Sequence, residues 1–297
     1  MIVGGAEVNP KYSIPWQVYI APRGRRTACG GTLISDRHVL TAAHCTQRWF
    51  GGQFQYEFDV VVGEHDLTSS SDGTPYRVCD FVDHPKFDNK EYLDENNLYI
   101  DYDFSILHLK TSVTFGPRVE PAYLPEKKYL PEAHDSKDFF AGKMLTVSGW
   151  GVWWRNGPLS DVLYSVMVPG ITEAQCIRNY NRKQIKSNNL CAGFSYGTKD
   201  ACQGDSGGMF SYLISFLHFY SLLGYNIEIY RCFEFHFDFN YYKNLGPLTY
   251  TAGGKTYVVG VVSWGWGCAG PNKAGVYGRV TKVLPWINQQ VYGKRRC

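Results

Sequence analysis

Asp200-Ala-Cys-Gln-Gly-Asp-Ser-Gly-Gly208 decides how this chain is read. Ser206 is bracketed by Gly204 on one side and by Gly207-Gly208 on the other. Glycines let a backbone come close to a bound molecule and take dihedrals that other residues resist. Backbone N–H groups beside a serine held this way converge on a developing oxyanion, commonly the largest electrostatic contribution to acyl transfer. A serine hydroxyl is a weak nucleophile at neutral pH; it needs a base, and the base needs a third group to orient it. Both partners lie upstream. Thr41-Ala-Ala-His-Cys45 offers His44, and Asp103-Phe-Ser-Ile-Leu107 offers Asp103. The order along the chain, His then Asp then Ser, is one of the known orders for a nucleophilic triad.

Ile2-Val-Gly-Gly5, Ser148-Gly-Trp-Gly151, Ser263-Trp-Gly265 and Gly275-Val-Tyr277 add to these three motifs, all in order. Together they make the chain resemble a trypsin-like serine protease of the chymotrypsin clan. The resemblance runs from Ile2 to the C-terminus except for roughly 209–246. It implies an all-β fold of two antiparallel β-barrels, near 16–115 and 126–284, with the active site between them and a short C-terminal helix. Within it, His44, Asp103 and Ser206 are the catalytic triad. The N–H groups of Gly204 and Ser206 form the oxyanion hole. Asp200 is the floor of the primary pocket, where it attracts Lys or Arg of the substrate. Gly265 and Gly275 leave the pocket walls open, and Ser263, Trp264 and Gly265 align the substrate backbone as an added strand. The resemblance also implies disulfides Cys29–Cys45, Cys176–Cys191 and Cys202–Cys268, the last bracing the pocket. Cys79 and Cys297 remain; whether they pair with each other is open at this point.

The family's Ile2 amino group, freed by cleavage of a propeptide, pairs with the Asp before the nucleophile, here Asp205. Met1 puts the amine one residue too far out, so secretory and activation segments are expected to precede Ile2 in the full protein. Nine cysteines point to an oxidising compartment, hence secretion. Net charge is +3 with scattered basic residues, which argues against a nucleic-acid partner. Expected partners are protein or peptide substrates with Arg or Lys and protein protease inhibitors, for a monomer that uses no cofactor. Tyr123, before Leu124-Pro125, stands where relatives with a tethered pro-domain carry a cysteine; this favours a released, digestive protease.

Asp101 competes with Asp103 for the triad, but only Asp103 leads into the apolar run Phe104–Leu109. Asp88–Tyr102 is expected to be a loop overhanging the cleft. Glu64 and Asp66 are oxygen ligands of the kind Ca²⁺ uses. No carboxylate stands near Thr74 to complete such a loop, so Ser69–Gly73 is read as a solvated turn and no metal is expected. His38, His65, His84, His108 and His134 lack the motif around His44 and are read as structural. Val283, Ile287 and Val291 recur every four residues, as in a helix, with Pro285 fitting only its first turn. That helix is expected to pack on the second barrel.

Residues 209–246 do not fit the pattern. About a third are Phe or Tyr, with no sustained strand or helix period. Removing them joins Gly208 to Pro247 and gives Gly-Asp-Ser-Gly-Gly-Pro-Leu-Thr-Tyr, the family's continuation. The residues are those of AT-rich codons, the borders suit splice sites, and removal of Cys232 leaves an even number of cysteines. The segment is read as a retained intron translated in frame. A surface insertion and a membrane segment over Met209–Tyr225 are the rivals; the latter would draw the nucleophile loop into lipid. The whole chain is otherwise one peptidase domain, 1–297. The alternative function is a catalytically impaired homologue that binds or regulates.

Overall fold

The computed structural model describes residues 4–22, 29–50, 57–90, 99–151, 160–197, 246–265, 271–294 and 296–297. Among these, β2 (Gln17–Pro22), β3 (Cys29–Leu33), β4 (His38–Thr41), β5 (Phe58–Val62), β6 (Thr74–Asp83) and β9 (Ser105–Leu109) close into a barrel in the order β2-β3-β4-β9-β6-β5. Alternation builds it: Phe58, Val60 and Val62 of β5 are buried while Asp59 and Val61 are partly exposed, the two-residue period of a strand with one face in a core. Val18, Ile20, Leu33, Leu40, Phe104 and Ile106 fill the same core. Gly31 is needed where it stands, because a Cβ there would meet Val39 Cγ1 at 2.8 Å.

The second sheet runs β1 (Ala6–Glu7), β11 (Tyr164–Pro169), β10 (Met144–Gly149), β13 (Pro247–Ala252), β14 (Lys255–Trp264), β15 (Gly275–Arg279), β12 (Asn189–Ala192), all antiparallel. Its far edge returns to β11 through a bridge between Gly170 and Ala192, with Ile171 N–H donating to Cys191 O and Gly193 N–H to Pro169 O, each at 2.9 Å. The sheet therefore closes on itself, and β1 lies outside as an extra edge strand on β11. The two-barrel, all-β architecture expected from the motifs is what the chain adopts. No described helix is long and apolar enough to cross a membrane.

The two chain ends cross over between the barrels. The N-terminal β1 belongs to the second sheet, pairing Ala6 with Ser165 and Glu7 with Tyr164. The C-terminal helix, Leu284–Tyr292, starts with Pro285 in its first turn. Its packing extends beyond the second barrel expected from its spacing: the cluster that receives it includes Val258 and Val261 of β14 and the first barrel's core. Val283, Leu284, Trp286 and Ile287 pack into the cluster that holds the first barrel's core. The reason lies far away in sequence: Trp286 meets His84 edge-on at 4.9 Å between ring centroids, and a disulfide joins Cys297 to Cys79 on β6. That bridge answers the question the cysteine count left open.

Two other expected loops also have definite shapes. Asp88–Tyr102 is at its base a two-stranded ribbon, β7 (Asp88–Lys90) paired with β8 (Tyr99–Asp101). The turn at Ser69–Gly73 is tied down by its acids: Asp72 accepts from Tyr12 Oη and from Asp66 N–H, the latter at 3.1 Å. Gly73 has φ of 70°, and a Cβ there would strike Glu64 Oε2 at 2.5 Å. Burial pushes the Glu64 carboxyl up to about 7, with Asp72 and Asp66 adding to the effect. A carboxyl whose folded value is raised contributes stability that is fully present below its unfolded value and is lost as pH rises through the folded one. Glu64→Gln is therefore expected to match the parent's melting temperature near pH 4.5 and to exceed it increasingly up to pH 8. Thermal melts across that range check this; a constant difference would refute the buried-carboxyl account.

Candidate active site

Strand β4 delivers His44. It ends at Thr41, and Ala42 and Ala43 are fully packed, too small to crowd the ring that follows. His44 sits in the first turn of α1 (Ala43–Phe50), and its neighbour Cys45 is bonded to Cys29 on β3, which pins the turn to the barrel. The helix is clamped from a second side by Asp83 at the end of β6. Asp83 Oδ1 accepts from Thr46 Oγ1 at 2.6 Å and Oδ2 from Gln47 Nε2 at 2.5 Å.

Asp103 arrives from the strand paired with β4. It precedes β9 by two residues, and Thr41 lies opposite Ser105 at that end of the ladder. His44 Nδ1 and Asp103 Oδ2 are 2.7 Å apart, and His44 backbone N–H donates to Oδ1 at 2.9 Å. Ser263 Oγ donates to the same Oδ2. Both His44 and Asp103 are almost wholly buried, at 3% and 2% exposure. Burial alone would raise the Asp103 carboxyl; the charge and hydrogen bonds of His44, with that of Ser263, outweigh it and hold the carboxyl below its ordinary value. An ionised, buried carboxylate that holds Nδ1–H leaves His44 Nε2 as the atom able to take a proton. Asp101, the rejected competitor, turns instead to Asn188 Nδ2 at 2.6 Å.

Tyr102, between the two acids, has φ of 49°, in the left-handed region that a tyrosine seldom enters. It is held there by a parallel stack on His84, with centroids 4.6 Å apart and planes 12° apart. Nothing local in the sequence marks either residue, nor Asp83, as part of the site. Ser263 was expected to serve the substrate backbone, yet its side chain is committed to Asp103. Strand β13 begins at Pro247 opposite Val261, so Val262–Trp264 runs past that neighbour among the described residues. Trp264 is fully buried, packed edge-on against Tyr180 at 5.1 Å. Gly275 opens β15 opposite Ala192.

Cys29–Cys45 and Cys176–Cys191 are bonded as the resemblance implied. Cys29, His44 and Cys45 lie close enough to share a metal, but the two sulfurs are bonded to each other, so no thiolate is available as a ligand. Ile2, Asp200, Cys202, Gly204, Asp205, Ser206 and Cys268 lie outside the described residues, as does 209–245.

A family profile described as Trypsin matches residues 2–217 and 246–287. Trypsin 5G1 of Aedes aegypti is 32% identical over 289 residues, covering 97% of this chain and 84% of that protein. The clotting factor G beta subunit of Tachypleus tridentatus is 30% identical over 301 residues, covering 99% of this chain and 80% of its own. The proclotting enzyme of the same animal is 33% identical over 300 residues, covering 98% of this chain and 66% of its own.

Proposed function

Because the chain belongs to the trypsin family of serine proteases, we propose that it is a secreted endopeptidase that cleaves after Arg or Lys through an acyl-enzyme. The observation that carries this is the buried pair of bonds from His44 to Asp103, reinforced by Ser263. His44 Nε2 takes the proton of Ser206 as its oxygen attacks the substrate carbonyl, then returns it to the leaving amine. Gly204 and Ser206 N–H groups hold the oxyanion, and Ile2, once freed, pairs with Asp205 to set that loop. Val262–Trp264 takes the substrate as an extra strand. Disulfides suit an extracellular setting, and Tyr123 in place of a tethering cysteine supports a released, monomeric, digestive enzyme open to protein inhibitors.

Activation of other secreted proteins is the second role, favoured by the two relatives named for clotting. A binding homologue without activity is the reading from another class. Residues 209–246 favour it, since they enter two residues after Ser206; the family match leaves out 218–245 of them. A burst with an active-site titrant separates enzyme from homologue: an Ile2-terminated chain with 209–246 removed releases one equivalent if it is a protease and none if it is not. In that form Asp200→Ser is expected to lower kcat/KM on a peptide ending in Arg by roughly 10²–10³-fold, the scale of stripping one partner from a buried ion pair. An unchanged preference for Arg over Leu would remove Asp200 from the pocket.

A further inference from the structure

The β4–β9 ladder carries the His44–Asp103 pair at one end and a second pair of imidazoles at the other. His38 on β4 lies directly opposite His108 on β9. Leu109 N–H donates to Arg37 O at 2.9 Å. The neighbouring His38–His108 pair is thus of the non-hydrogen-bonded kind, in which facing side chains come closest. Their ring centroids are 5.0 Å apart and their planes 81° from parallel. Both rings line a partly open pocket of about 210 Å³, together with Gln290, Val291, Gly293 and Lys294 of the C-terminal segment.

His108 is 5% exposed, and its Nε2 is buried with no hydrogen-bond partner among the described residues. Such an atom costs free energy unless something meets it. His38 is held at Nδ1 by Ser35 Oγ at 2.7 Å, which leaves its Nε2 as the nitrogen for a ligand. A hydrogen bond on one ring nitrogen, as on His38, is how proteins orient metal-binding histidines.

We propose that His38 and His108 form a site for a divalent transition-metal ion that prefers imidazole, Zn²⁺ or Cu²⁺, bound through the two Nε2 atoms with cavity water completing the coordination. Burial lowers His38 and takes His108 down to about 4, so both rings are in the neutral form that ligates at neutral pH. The surrounding charges are mixed. Asp36 acts on His38 and Asp80 on His108. Of the cations lining the cavity, Arg37 donates to Ser112 Oγ and Lys110 O, and Arg296 pairs with Asp80 at 3.0 Å. Lys294 adds a positive charge that limits affinity. With two imidazoles and a single carboxylate, Asp36, on its wall, the site suits Zn²⁺ or Cu²⁺ better than Ca²⁺ or Mg²⁺. The adjacent Cys79 and Cys297 are bonded to each other and supply no thiolate. A bound ion would cross-link the two strands that deliver His44 and Asp103.

The test uses the full, disulfide-bonded chain, stripped with chelator and titrated calorimetrically with ZnCl₂, CuCl₂ and CaCl₂. The expected result is one site that takes Cu²⁺ more tightly than Zn²⁺ and ignores Ca²⁺. His38→Gln and His108→Gln each weaken it at least tenfold, and Ser35→Ala weakens it about tenfold by loosening His38. His44→Ala leaves it in place. Saturating Zn²⁺ raises the melting temperature of the parent and of neither histidine variant, and chelator reverses the rise. His38→Gln, altering a partly exposed ring, serves if His108→Gln does not fold. Failure of the parent to bind Zn²⁺ or Cu²⁺, binding that survives both histidine substitutions, or binding lost in His44→Ala each overturns the proposal.

Discussion

Joining Gly208 directly to Pro247 raises activity on a peptide ending in Arg by roughly 10³-fold, the scale of restoring an oxyanion hole and its nucleophile. Both forms carry a cleavable leader that releases Ile2, and Ser206→Ala is the blank. The expectation rests on where the chain resumes. Gly246 N–H donates to Ser148 O at 3.1 Å, and a Cβ on Gly246 would strike the Gln17 amide. Ser148 Oγ in turn donates to Gln17 Oε1 at 2.7 Å. Pro247–Ala252 then lies between β10 and β14 as a barrel strand. A side chain just before that strand would have to displace the Gln17 amide; Gly208, like Gly246, asks for no such shift. A direct link holds the Ser206 loop against the barrel. Closing a chain of the length of 209–246 in its place carries roughly 3 kcal/mol of entropy, and it separates Ser206 in sequence from that strand. Equal activity in both forms would make the segment a tolerated surface loop and remove the mechanical support for a retained intron. Silence in both would favour the binding homologue. Sequencing the spliced message tests the same idea independently: an abundant message that keeps the segment refutes the intron.

In the joined form, Asp103→Asn lowers kcat by about 10⁴-fold with little change in KM or in the melting curve, the known scale for this change in a Ser–His–Asp triad. The geometry says why. Asp103 Oδ1 accepts from His44 backbone N–H, and Oδ2 accepts from His44 Nδ1–H and Ser263 Oγ. An asparagine that keeps its oxygen on the backbone N–H turns its NH₂ toward Nδ1. Nδ1 must then accept, the proton moves to Nε2, and His44 can no longer take one from Ser206. Ser263→Ala, which removes only one of the donors to Oδ2, is the milder control. A fall in kcat of less than tenfold for Asp103→Asn would mean that another group orients His44.

The candidate catalytic residues were legible in the sequence because the residue types that a nucleophilic triad needs fall in short stretches. Ala42-Ala43-His44, Asp103 before an apolar strand, and glycines around Ser206 carry their meaning locally. So do Cys29 and Cys45, which straddle one hairpin, and the strand alternation of Phe58–Val62. The odd composition of 209–246 was also visible, and the family match breaks off at 217 and resumes at 246.

What only the tertiary structure decided is which distant surfaces meet. Ser263 closing on Asp103, His84 stacking on the strained Tyr102, and Asp83 clamping the His44 helix join residues that share no pattern in sequence. The terminal helix has an apolar stripe that either barrel could cover; it joins the first barrel's core and two valines of β14, with Trp286 against His84 and Cys297 bonded to Cys79. His38 and His108 read singly as ordinary structural histidines. Strand register alone sets them face to face, because pairing depends on how the whole barrel closes and not on the residues beside either one.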